Sequence, residues 1–392
     1  MENAKGFQIA TTEVKSITTV YIIKSITTVF LSIYMKSKYS KYRKTRKKPS
    51  SKSREQKKVQ RGGSKTKTIR KKNRIKTPKS ISTAQSYCSP YANNSRLSKN
   101  SCFTKDNLKT LIDGYNTKYS HDPIQPYENT TTGWNTLQNK MNKYTTCKND
   151  LCWMDSLNLP ENTKVRFKNK LYRPVQPSIW NSNPNQWLTN LDIQRVLNQY
   201  EEAYSSFRFL GPTPLDFDTQ LGTYTYVCNK VKNLNLEQEY KNNVRKIGVV
   251  FNEDKYGKSG SHWTAFFIDL DDNFIIYFNS GGNNMLKAMT RFRDMVRSQA
   301  KTLFGRKMKY IQNHHIHQKG KSECGMYCLY FIIALFLRKI DILANHNTNS
   351  STVLQQGGSQ MSLKEILTYF TKQRIPDKFV MQYRDFLFRK EQ

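Results

Sequence analysis

Apolar positions are spaced in three different ways along this chain. Early on they recur at helical spacing. Leu108, Leu111 and Ile112 share one face behind a Thr104 cap, and Trp134, Leu137 and Met141 repeat the pattern. Residues 83–160 therefore read as a compact helical module. The helical period returns at 187–204, with Leu188, Leu191, Val196, Leu197 and Tyr200 apolar. Residues 209–218 read as turn-rich and then extended. Beyond them the apolar residues become nearly continuous, at 247–251, and two strands are predicted at 263–271 and 273–279, joined as a hairpin through Asp271 and Asp272. A basic amphipathic helix is predicted at 285–304 and a further strand at 307–318. After Glu323 an apolar run continues to Leu337 without a helix breaker, which predicts a buried helix with Cys324 in its first turn. Two short helical segments follow, split by Pro376. Strands in the middle with helices on either side give an α+β domain over 181–392.

Charge changes the picture at the other end. The 392 residues carry a formal charge of +36, and 36–79 hold 21 Lys or Arg against the single acid Glu55. Such a segment cannot bury enough apolar surface to fold, so 35–82 is expected to be a disordered basic tail with an attraction to DNA or RNA. It lacks the interleaved aromatics that sequence-specific reading would need. Before it, 1–34 contain a short duplication, KSITTVYII then KSITTVFLS. Lys24 and the many Ser and Thr make this a poor membrane span. Met35 reads as the natural start, with 1–34 an upstream extension absent from the mature protein.

Seven cysteines form an odd count. Cys88, Cys102, Cys147 and Cys152 do not have zinc-finger spacing, and are expected to be buried free thiols in a reducing compartment.

The candidate chemistry lies in the second half. Backbone N–H groups at a helix start favour a thiolate, so Cys324 is expected to have a lowered pKa. His262, delivered by a polar loop to a strand start, supplies a base. Asn279 ends the next strand and orients that base, and Gln318, six residues before the cysteine, supplies an oxyanion donor. Asp269, Asp271 and Asp272 are rivals to Asn279. His314, His315 and His317 look like a metal cluster, but strand alternation would split them. His317 remains a candidate neighbour of the site, and Cys328 reads as core.

His262-Trp263, Asn279 in YFNSGG, Gln318 and Glu323-Cys324-Gly325 resemble, in order and spacing, the cysteine proteases that include the SUMO and adenovirus proteases. WLTNLDI at 187–193 is similar to the opening of that family's first core helix. The resemblance implies a papain-like, adenain-type core, a mixed sheet packed against the nucleophile-bearing helix. It further implies a Cys324–His262–Asn279 triad with Gln318 as oxyanion donor and no cofactor or metal. Trp187 and Trp263 would wall a tunnel admitting only Gly-Gly-X sites on a protein substrate. Asn279 stands where SUMO proteases usually carry Asp. That departure, with the basic composition, is similar to proteases of large cytoplasmic DNA viruses, which implies maturation of core polyproteins in the virion and host cytoplasm. Removal of SUMO-like or ubiquitin-like proteins is the alternative, and acetyl transfer by relatives with the same triad order is a more distant one. From a different class, the basic tail alone would suit a nucleic-acid-binding structural protein with an inactive core. Gly-Gly-Ser occurs at 62–64 and 357–359, making Gly63 a candidate self-cleavage point.

Overall fold

The computed structural model describes residues 87–98, 100–147, 149–341 and 360–391, all within one unit, Arg74–Gln392. The apolar duplication, the basic segment at 35–82 and both Gly-Gly-Ser sequences lie outside them. Among the described residues no helix is long and apolar enough to cross a membrane.

The N-terminal module is helical as its periodicity predicts. Helices α1 (Leu108–Lys118), α2 (Thr130–Tyr144) and α3 (Glu161–Leu171) pack around Leu111, Tyr115, Trp134, Leu137 and Met141. Its apolar cluster runs on to Phe167, Leu171 and Tyr172, past the expected boundary at 160. The four cysteines here are not free thiols. Cys88 pairs with Cys102 and Cys147 with Cys152 as disulfides, their Cα atoms 5.2 and 5.4 Å apart. Sequence spacing hid this, because the fold of the module, not the count of cysteines, brings each pair together. Cys228, Cys324 and Cys328 are the free thiols.

The second domain is a five-stranded mixed sheet in chain order: β1 (Phe207–Pro214), β2 (Lys246–Asn252), β3 (Trp263–Asp269), β4 (Phe274–Phe278) and β5 (Lys309–Gln312). The outer pairs are parallel and the inner ones antiparallel. β3 and β4 are buried along their whole length because both faces are covered, so alternation is absent from their sequences. Val250, Ala265, Phe267, Ile276 and Phe278 face helix α6 (Cys324–Leu337). Val249, Phe251, Phe266, Ile275 and Tyr277 face helix α5 (Lys287–Phe304). Helix α4 (Asn190–Ala203) and the C-terminal helices α7 (Leu363–Lys372) and α8 (Asp377–Gln382) complete the α6 side.

Three elements differ from expectation. β1 is a strand where a turn-rich segment was predicted. Gly211, Pro212 and Pro214 break the pattern, but as an edge strand with a register shift between Phe209 and Pro212 it tolerates missing donors. The strand predicted over 307–318 stops at Gln312. Asn313 takes over the pairing with its side chain, accepting the Asn279 N–H at 2.8 Å and donating to the Asn279 carbonyl at 3.1 Å. Helix α4 begins at Asn190 rather than at Trp187, behind a Thr189–Asp192 capping box, and Leu191 of the predicted apolar face is 53% exposed.

Candidate active site

Cys324 is the first residue of α6 and is 1% exposed. Gly325 follows it because the helix start presses on the segment before α4: a Cβ there would lie 2.9 Å from Leu188 Cβ. The Trp263 indole N–H donates to the Leu188 carbonyl at 3.1 Å, tying that segment to β3. The lowered thiol pKa expected from the helix start does not appear. Burial pushes the Cys324 thiol up to about 11, and the N–H groups of Trp263, Gly325 and Cys324 offset only part of that. Desolvation outweighs the helix end.

His262 sits one residue before β3, where its carbonyl accepts the Glu253 N–H at 3.0 Å and extends the β2–β3 pairing. Its Nε2–H donates to Asn279 Oδ1 at 2.9 Å. Asn279, immediately after β4, is fully buried and held on every side. Its Oδ1 also accepts the Gly281 N–H at 2.9 Å, and its amide nitrogen donates to Glu253 Oε1 at 3.2 Å and reaches the Tyr277 hydroxyl at 3.5 Å.

Gln318 is placed by its N–H, which donates to the Ser280 carbonyl at 2.9 Å. Its Oε1 accepts the Ser280 hydroxyl at 2.7 Å, and its amide nitrogen donates to the Gly320 carbonyl at 3.2 Å and to Glu323 Oε2 at 3.3 Å. The amide is thus directed at the carboxylate of the residue preceding Cys324. Trp187 is half-buried in the loop before α4 and Trp263 is 7% exposed, anchored on the Leu188 carbonyl beside Trp187.

The rival acids have other partners. Asp269 pairs with Lys246 and Arg338 at the far end of β3, and Asp271 and Asp272 lie in the hairpin turn with the same two cations. The three histidines are off the strand. His317 is fully buried, with Nε2–H donating to the Phe370 carbonyl at 2.9 Å and Nδ1 accepting the Ile375 N–H at 3.2 Å. It braces the segment joining α7 to α8 rather than neighbouring the site, and burial holds its pKa down at about 4. Among the described residues no group of three or more His, Cys, Asp or Glu side chains gathers as a metal site.

Sequence reasoning missed Glu253. Pairing β2 with β3 in the observed register, Asn252 opposite Trp263, puts residue 253 opposite His262. The signal was present in the two strands, but required their pairing.

Comparison with known proteins adds a family model described as YopJ Serine/Threonine acetyltransferase, which matches residues 215–387 and so includes His262, Asn279, Gln318 and Cys324. A protein of Acanthamoeba polyphaga mimivirus, described as a candidate thiol protease, is 29% identical over 251 residues, covering 60% of this chain and 80% of that protein. A SUMO-1 cysteine protease of African swine fever virus (isolate Pig/Kenya/KEN-50/1950) is 26% identical over 214 residues, 52% of this chain and 67% of the relative. A crystal structure of an African swine fever virus protease aligns with a TM-score of 0.48 at 21% identity, covering 79% of this chain and 98% of that one.

Proposed function

On the premise that this chain belongs to the SUMO-protease-like cysteine proteases found in large DNA viruses, we propose that it is an endopeptidase using Cys324, His262, Asn279 and Gln318. The observation that carries the reading is the His262–Asn279 hydrogen bond at 2.9 Å, in a site whose buried thiol lies against the N–H of Trp263, the residue after His262.

Asn279 fixes the proton on Nε2, leaving Nδ1 as the basic nitrogen. Nδ1 takes the Cys324 proton as the sulfur attacks the scissile carbonyl. The oxyanion receives the Cys324 N–H and the Gln318 amide, once Gln318 turns from Glu323 toward it. Collapse breaks the C–N bond, the imidazolium protonates the leaving amine, and a thioester remains. Water, deprotonated by His262, then releases the acid and the thiol. Trp187 and Trp263 suit a channel that admits Gly-Gly before the cut, because two indoles leave no room for side chains. The substrate on this reading is a viral core or structural polyprotein, processed in the virion and host cytoplasm. Nucleic-acid contact through 35–82 would hold the enzyme among its substrates, and a salt titration of DNA binding by that segment tests it. Cleavage of a panel of Gly-Gly-X peptides, lost in Cys324→Ala, tests the peptidase. Cutting only of a folded SUMO-like or ubiquitin-like fusion would move the role to deconjugation.

The acetyltransferase family model favours a second reading, in which the same thiol takes an acetyl group from acetyl-coenzyme A and passes it to a hydroxyl. Both readings share the thioester. They separate on whether coenzyme A or an amine is the leaving group.

A further inference from the structure

We propose that Glu253 is the site's fifth member, a positioning residue that orients Asn279 and supplies the negative charge which an Asn at that position lacks. The proposal rests on the triad reading above and deepens it. An amide has two nearly isosteric ends, and only its partners decide which one faces the imidazole. Here the Gly281 N–H at 2.9 Å claims Oδ1, and the Glu253 carboxylate at 3.2 Å claims the amide nitrogen. The flipped amide would set its oxygen against a carboxylate and its nitrogen against an N–H. Glu253 therefore fixes Oδ1 on His262 Nε2–H, and with it the tautomer that keeps Nδ1 basic.

Glu253 is placed to do this by the sheet, since its own N–H donates to the His262 carbonyl at 3.0 Å. It is half-buried, and the charged and titratable groups that face it are His262, Asp254, the Tyr277 phenol and the Cys328 thiol. Asp254 accepts the Ser261 hydroxyl at 3.1 Å in the loop, leaving Glu253 the carboxylate on Asn279. When His262 takes the Cys324 proton, the nearby carboxylate stabilises the imidazolium through the amide between them. The same geometry accounts for Asn in place of the family's Asp. A carboxylate at 279 would meet Glu253 at hydrogen-bonding distance with no proton between them.

The test titrates His262 by NMR in Cys324→Ala protein, with and without Glu253→Gln. Glu253→Gln keeps an acceptor for Asn279 and removes the charge, so the His262 pKa should fall by about one unit, a tenfold loss of proton affinity. A merely structural role leaves that titration unmoved. In the active background Asn279→Asp should lower kcat/KM, and adding Glu253→Gln should recover at least about tenfold of the loss, since the two changes share one contact. An unchanged His262 titration, or a double variant no better than Asn279→Asp alone, overturns the proposal. Wild-type protein that cleaves no peptide sinks the peptidase reading, while the titration still decides this one.

Discussion

At the scale of single residues, the site is built from groups whose own preferences have been overridden. Cys324 begins a helix, yet burial raises its pKa to about 11, which favours the thiol over the thiolate in the substrate-free site. Alkylation of the substrate-free enzyme by iodoacetamide should therefore be slow at neutral pH and climb toward about pH 11. A plateau already reached at neutral pH would contradict it. Replacing His262 by Ala should lower kcat/KM by about 10²–10⁴-fold, the range that positioned acid–base groups supply, with the fold intact by circular dichroism. The candidates His262, Asn279, Gln318 and Cys324 are legible from residue type and spacing alone. Glu253 is not, because its role depends on a partner strand opposite it.

At the scale of elements, the start of α6 is held by close packing that glycine permits. Ala is ordinarily the better helix residue by about 1 kcal/mol, yet a Cβ at 325 would press on Leu188. Gly325→Ala should lower both Tm and activity, and Leu188→Gly, which removes the Cβ that the added methyl would meet, should restore part of the activity loss when combined with it. Additive losses would show that the contact is not the cause. The segment joining α7 to α8 is held by His317, whose pKa lies at about 4 against an ordinary 6.5. The unfolded chain takes up this proton first as pH falls, so the neutral form's contribution is present above 6.5. It is lost between 6.5 and about 4, by on the order of 3 kcal/mol. Wild-type Tm should drop through that window more steeply than that of His317→Asn. The elements that were hardest to read share a cause. β1 and the end of β5 depart from expectation where prolines or Asn313 replace ladder hydrogen bonds, which a hydrophobic pattern does not report. The fully buried β3 and β4 were plain.

At the scale of the whole molecule, the helical module is joined to the protease domain through three kinds of contact. Gln199 donates to the Tyr172 carbonyl at 2.7 Å, Val175 bridges Arg389, and Arg173 donates to the Cys88 carbonyl while its guanidinium stacks 3.6 Å over Phe386. The module carries both disulfides, while the candidate nucleophile must stay reduced. Closing a 14-residue separation, the Cys88–Cys102 bond should contribute about 3 kcal/mol. Paired replacement of both cysteines by Ser should lower Tm by several degrees without abolishing peptide cleavage at low temperature. Loss of cleavage there would tie the module directly to the site. The helices around Leu111 and Leu137 were legible from periodicity, and the pairing of the cysteines was not, since it depends on tertiary approach. Peptidase and acetyltransferase chemistry at Cys324 separate in one assay, cleavage of Gly-Gly-X peptides by wild type and Cys324→Ala with acetyl-coenzyme A and a hydroxyl acceptor offered in parallel. Wild type should cut after Gly-Gly, and the variant should not. Acetyl transfer through Cys324 with no peptide cut would contradict the peptidase reading.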